Sequence, residues 1–136
     1  MTAYHQIFVR TNKSEQVLVE DLSTASGAEI CALEPPSNEI VYFGRVGNTV
    51  IEVELEHDFD DDRDLNFSAY PVLVTIRVLD AEREAEERVA RDVFEKLKDV
   101  GGYDLLLVFN LQRLVARWPS PDELEVVPDL PFRSGS

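Results

Sequence analysis

Residues 49–64 read TVIEVELEHDFDDDRD, and the first half of this stretch alternates between apolar and acidic side chains. Ile51, Val53 and Leu55 alternate with three glutamates, which predicts a β-strand with one apolar face and one face of carboxylates. The second half, residues 58–64, adds five aspartates and predicts an acidic loop. The rest of the chain is interpreted outward from this strand.

The segments on either side of the acidic strand also alternate. Residues 39–46 precede it, and the Gly-Asn pair at positions 47 and 48 predicts a hairpin between the two strands. Residues 70–79 follow the acidic loop as another strand. If this strand pairs with the acidic one, Thr75 and Arg77 stand opposite its glutamates and relieve part of their repulsion.

The N-terminal part predicts a strand, a helix and a second strand. Residues 4–10 form the first strand, and Asn12 is the expected helix N-cap, with Glu15 completing a capping box. Gly27 suits the left-handed helix stop. A short strand is expected over residues 28–33.

The C-terminal half begins with the clearest helix. It is expected to start at an Asp80 cap and run to about residue 100, with an apolar stripe at helical spacing. Residues 103–110 are almost continuously apolar and predict a strand that is covered on both faces. Residues 111–118 fit either a strand or a short helix, and their apolar spacing favours the helix.

Together these elements predict an α+β fold, a mainly antiparallel sheet of about five to six strands with two main helices packed on it. A length of 136 residues suits a single domain, expected over residues 1–118. Residues 119–136 are rich in proline and predict an extended C-terminal tail that is partly docked on the body.

The composition limits the classes of partner. With 27 acidic and 13 basic residues the net charge is −14, which argues against binding nucleic acid or an anionic membrane and favours a basic partner. No signal peptide or membrane-spanning run is visible, so a cytoplasmic protein is expected. Cys31 is the single cysteine, and its apolar neighbours predict an inert core thiol.

No pattern of catalytic or metal-binding residues emerges. Asp58, Asp60 and Asp62 have the spacing of a calcium loop, but Arg63 and Ala69 stand where its glycine and bidentate glutamate belong. A metal-dependent nuclease strand lacks its lysine, and the two histidines and one cysteine are too widely spaced for zinc. We therefore expect no enzyme activity, no cofactor and no metal.

The acidic stretch itself is the candidate site, and two interpretations of it stay open. It is either a solvated surface that maintains solubility or a patch that steers and holds a basic protein. An exposed aromatic side chain at Tyr70 is expected to assist. The predicted partner-binding residues are Glu52, Glu54, Glu56, Asp58, Asp60, Asp61, Asp62, Asp64 and Tyr70.

The small size, the IEVELEHDFDDDRD stretch and the compact α+β body resemble the small acidic immunity proteins that bacteria encode beside toxins. The resemblance implies a protein that binds a basic, nuclease-like toxin through an acidic surface covering the site meant for phosphates. The alternative is a structural or accessory subunit that assembles through a sheet edge or through the C-terminal tail.

Overall fold

The structure is a computed structural model, and it describes residues 4–37, 40–55, 69–110 and 113–119. Along the chain the elements are β1 (His5–Thr11), α1 (Glu15–Ser26), β2 (Cys31–Ser37), β3 (Ile40–Val46), β4 (Thr49–Glu54), β5 (Val72–Val78), α2 (Arg83–Val100), β6 (Tyr103–Phe109) and β7 (Arg113–Trp118). The expected division at residue 118 lies at the end of β7, and the tail beyond Pro119 lies outside the described residues.

The described strands form one sheet in the order β2-β3-β4-β5-β1-β6-β7, and every neighbouring pair is antiparallel. The α+β class with a mainly antiparallel sheet and two helices is therefore confirmed, with seven strands in place of five to six. The expected hairpin is also confirmed, because β3 and β4 pair directly across Gly47, which has φ +58°.

Both helices pack on the same face of the sheet, which we call the helical face. There Leu18 and Leu22 of α1 and Phe94 and Leu97 of α2 join the alternate residues of the central strands in one core cluster. Ile51 of β4 is fully buried in this cluster. The apolar face of the acidic strand therefore packs in the core.

The other side of the sheet, which we call the second face, carries a smaller apolar cluster. Phe8, Leu73, Leu106 and Val108 meet there, and each is at most 1% exposed. These side chains come from β5, β1 and β6, three neighbouring strands of the sheet. Burial on both faces agrees with the continuous apolarity of β6.

The prediction of a short helix over residues 111–118 is wrong, because Arg113–Trp118 forms strand β7. Leu107 of β6 faces Ala116 of β7, and the register shifts beyond that pair. Trp118 packs against the core cluster from this position. One edge of β6 carries backbone N–H and C=O groups that need hydrogen-bond partners, and pairing with them makes residues 113–118 a strand. The spacing of apolar residues does not show this.

Both expected helix caps are also wrong. Ser14, not Asn12, caps α1, and its Oγ accepts a hydrogen bond from the backbone N–H of Val17. Glu82, not Asp80, is the N-cap of α2, since Asp80 adopts φ +58° in the turn that follows β5. Each helix starts two residues later than expected because the preceding strand runs into a turn.

Cys31 is exposed, so the expectation of a core thiol is wrong. The expected strand over residues 28–33 is displaced, and β2 begins at Cys31 and continues to Ser37. Ala28 and Ile30, just before it, are the buried residues. Because β2 is the edge strand of the sheet, its prolines need no ladder partner on the outer side.

None of the helices in the described residues has the length and apolarity needed to cross a bilayer.

Candidate functional site

The first residues of the acidic stretch lie on the second face of the sheet. Strand β4 alternates as predicted, since Ile51 and Val53 are fully buried on the helical face. Glu52 and Glu54 therefore project from the opposite side, and both are half-buried. Glu54 also takes part in an interaction within the molecule, so it is not without a partner.

The charge of Glu52 is balanced inside the chain. Its Oε2 accepts a hydrogen bond of 2.8 Å from Arg77 on the neighbouring strand, and its side chain is 20% exposed. Thr75 stands directly across from Glu52 in the β4–β5 register. The expectation that Thr75 and Arg77 oppose the glutamates is confirmed, and a partner would have to displace Arg77 to use this carboxylate.

Tyr70 is not the exposed aromatic side chain that was expected. It is only 9% exposed and packs with Phe8 and Leu73 in the apolar cluster of the second face. The guanidinium of Arg10 lies 5.1 Å from the centre of its ring. Tyr70 precedes β5. Its ring packs over that cluster because burial of its large apolar surface is more favourable than exposure to water.

The remaining predicted partner-binding residues lie outside the described residues, and their role stays a prediction. They are Glu56, Asp58, Asp60, Asp61, Asp62 and Asp64.

An acidic groove that the sequence did not reveal lies between α1 and β3. Glu15, Gln16, Val19, Glu20 and Tyr42 line it, around a volume of about 340 Å³. The two carboxylates lie on the exposed side of α1, and the floor is apolar because Val19 and Tyr42 pack against the core cluster. Helical spacing places the α1 residues on one stripe, but only the fold brings β3 beside them.

The hydroxyl of Tyr42 donates a hydrogen bond to Oε2 of Glu15. This bond, reinforced by desolvation and by the negative charge of Glu15, raises the pKa of Tyr42 above its ordinary value of 10.0. Tyr42 therefore stays a neutral donor. Within the ranges that the structure covers, neither Glu15 nor Glu20 forms an ion pair with a lysine or arginine.

The acidic groove adjoins the point where the acidic stretch leaves the sheet. Tyr42 stands across from Val53 in the β3–β4 register, and Leu55 follows two residues later. Leu55 and Tyr42 both pack at the margin of the helical core. Glu56, the next residue in the chain, is the first acidic residue of this stretch outside the described ranges.

A second polar arrangement joins β1 to α2 and was also missed. His5 is fully buried, and its Nδ1 lies 2.7 Å from Oε1 of Glu86. The same Oε1 accepts the backbone N–H of His5, while Oε2 accepts the backbone N–H of Val78. Glu86 thus fastens α2 to two strands of the sheet. Within the described ranges no group of three or more His, Cys, Asp or Glu side chains is arranged to hold a metal ion.

Comparisons with known proteins place the chain in no group: no family model, no curated protein and no solved structure matches it.

Proposed function

We propose that this chain is a non-enzymatic binding protein that neutralises a basic protein partner, in the manner of a cytoplasmic immunity protein against a nuclease-like toxin. The net charge of −14 supports a basic partner, because opposite charge accelerates encounter and like charge rejects other proteins. A toxin that acts on nucleic acid carries a basic surface for phosphates, and an acidic surface is suited to cover it.

The acidic groove carries the proposal. A lysine or arginine of the partner can lay its aliphatic stem along Val19 and the ring of Tyr42 while its charged group reaches Glu15 and Glu20. Such a pocket combines an apolar floor with charge at its rim, the arrangement that anchors interface residues. Glu52 contributes less to this function than expected, since Arg77 already holds it.

The test begins with purification of the tagged chain together with its partner from the native cell. We expect a basic protein whose activity the chain inhibits when the two are mixed. The variant Glu15→Lys/Glu20→Lys should weaken the binding by about tenfold or more, because two attractive charges become repulsive. The matched control is Asp92→Lys/Glu95→Lys, which makes the same charge change on the exposed side of α2.

Equal loss of affinity in both variants would show that only net charge matters and that the groove is not the contact. A partner that is acidic, or one whose activity is unaffected, would refute the proposed function itself.

An accessory subunit that assembles through a sheet edge is the second candidate, and β7 favours it. This strand lies at one end of the sheet order, so its outer edge has no partner strand among the described residues. Leu114 on it is 40% exposed. Unpaired strand edges are templates for another chain. A stable homo-oligomer of the pure protein in light scattering would favour this candidate, whereas a monomer would favour the immunity function.

A further inference from the structure

A groove of opposite charge lies on the flank of α2. Arg83, Glu84, Glu87, Arg88 and Arg91 line it, around a volume of about 240 Å³, and we call it the arginine groove. From β7, Arg113 also reaches Glu87, so four of the 13 basic residues of the chain gather here around two carboxylates. This concentration is unexpected in a protein of net charge −14.

The guanidinium groups at one end of the arginine groove are held against an aromatic ring. Arg83 lies 5.3 Å and Arg113 lies 5.9 Å from the centre of the Phe109 ring. The buried ring of His5 contacts Phe109 as well, with 4.9 Å between the ring centres. Contact with an aromatic ring orients a guanidinium and lowers the entropy that it loses when it binds a ligand.

The carboxylates of the groove pair with two of these four arginines and leave the other two without an ion pair among the described residues. Glu87 accepts hydrogen bonds from Arg91 at 3.1 Å and from Arg113 at 3.3 Å. Arg83 and Arg88, by contrast, form no ion pair with any described residue, although Glu84 has the i,i+4 spacing to Arg88. Both arginine side chains are exposed, so their guanidinium groups are accessible to a ligand.

One carboxylate of the groove, that of Glu87, also has a buried nitrogen of His5 as its neighbour. Nε2 of His5 is 3.5 Å from Oε1 of Glu87 and finds no hydrogen-bond partner among the described residues. Glu87 is thus the nearest polar neighbour of this nitrogen, and the contacts of Glu87 go to His5, Arg91 and Arg113, which leaves Arg83 and Arg88 for a ligand.

We propose that the arginine groove binds a phosphate group of a small phosphorylated ligand. Guanidinium forks match the geometry of phosphate oxygens, and two unpaired arginines supply the charge that a doubly negative group requires. Arg83 and Arg88 make the primary contacts. Arg91 and Arg113 exchange part of their contact with Glu87 for the ligand. This site takes an anion, so it is independent of the acidic groove and of the basic partner proposed for it.

Isothermal titration calorimetry with pyrophosphate, at constant ionic strength set by chloride, tests the site. The Arg83→Ala/Arg88→Ala variant should bind pyrophosphate about tenfold more weakly or worse, because it loses two charge-assisted contacts. The control is Arg45→Ala/Lys96→Ala, which removes the same charge at exposed positions elsewhere and should bind almost as the wild type does. The variant Arg83→Lys/Arg88→Lys, which keeps the charge and loses the forks, should fall between them.

Two results would overturn the site. One is the absence of pyrophosphate binding to the wild type at millimolar concentration. The other is an equal loss of affinity in the groove variant and in the control, which would show that the loss comes from the change in net charge alone.

Discussion

Asp21 on α1 joins three parts of the chain through one carboxylate. Its Oδ2 accepts a hydrogen bond of 2.5 Å from the hydroxyl of Tyr103 on β6 and one of 3.1 Å from Nζ of Lys13. The ammonium of Lys13 also lies 4.3 Å from the centre of the Tyr103 ring. Partial burial of Asp21 opposes its charge, but the hydrogen bonds from Tyr103 and Lys13 outweigh that effect and lower the pKa of Asp21 below its ordinary value of 3.8.

The change Asp21→Asn should lower the free energy of unfolding by about 1–2 kcal/mol near neutral pH, because both donors lose their charged acceptor. A lowered pKa stabilises the fold above the ordinary pKa of the carboxyl, and that contribution disappears as the pH falls through the lower, folded value. The difference between wild type and variant in urea unfolding should therefore shrink below about pH 3.8. Asp99→Asn, at an exposed position of α2, is the control. A difference that is the same at neutral and acid pH would contradict this explanation.

Gly44 illustrates a residue whose role its sequence context did not show. The structure gives Gly44 a steric role. A Cβ on Gly44 would lie 2.7 Å from Cγ1 of Ile30 and 3.0 Å from the carbonyl oxygen of Glu29. The backbone that leads into β2 therefore lies so close to Gly44 of β3 that only glycine fits at this position.

Gly44→Ala should destabilise the protein by about 1–3 kcal/mol, because the backbone of Glu29 cannot move away as a flexible side chain would. Val46→Ala, an exposed change on the same strand, should cost about 0.5 kcal/mol or less. Chemical denaturation of the two variants measures this contrast. A Gly44→Ala protein as stable as the wild type would show that the crossing is looser than described.

At the scale of secondary-structure elements, the periodicity of apolar residues along the sequence predicted most of the fold. The alternation in β4 and β5 correctly divided their side chains between the two faces of the sheet, and the Gly-Asn pair correctly placed the hairpin. Errors occurred where contact with another element decides the outcome. Strand β7 forms because β6 offers an edge, and the acidic groove exists because β3 lies beside α1. A single sequence does not show which elements become neighbours.

The attachment of α2 to the sheet depends on Glu86, which is 7% exposed. Glu86→Ala should lower the free energy of unfolding by about 3 kcal/mol or more, since it leaves the ring and backbone N–H of His5 and the N–H of Val78 without an acceptor. Glu84→Ala, on the exposed side of the same helix, should change it by about 0.5 kcal/mol or less. Guanidinium denaturation followed by circular dichroism compares them. Equal, small effects would show that α2 is held by apolar packing alone.

At the scale of the whole molecule, charge is segregated. The acidic groove of α1 and β3 adjoins the start of the acidic stretch, whereas the arginine groove lies on α2 near β7. Net charge leads to the expectation of a basic partner but gives no position for its contact. The sequence predicted that contact over residues 52–64 and at Tyr70. The structure gives Glu52 an arginine partner and buries Tyr70, whereas residues 56–64 lie outside the described residues and their role stays a prediction.

The salt dependence of binding tests the central claim most directly. The affinity of the purified basic partner, measured by calorimetry from about 50 to 500 mM NaCl, should fall steeply for the wild type because salt screens exposed charge pairs. In the Glu15→Lys/Glu20→Lys variant, both the affinity for the partner and the dependence of that affinity on salt should decrease. The Asp92→Lys/Glu95→Lys variant should keep most of the affinity and most of its salt dependence. The same reasoning applies to Glu54→Lys/Asp60→Lys/Asp62→Lys in the acidic stretch. An affinity that is independent of salt, or one that neither acidic-surface variant changes, would contradict the claim that this acidic surface binds a basic protein.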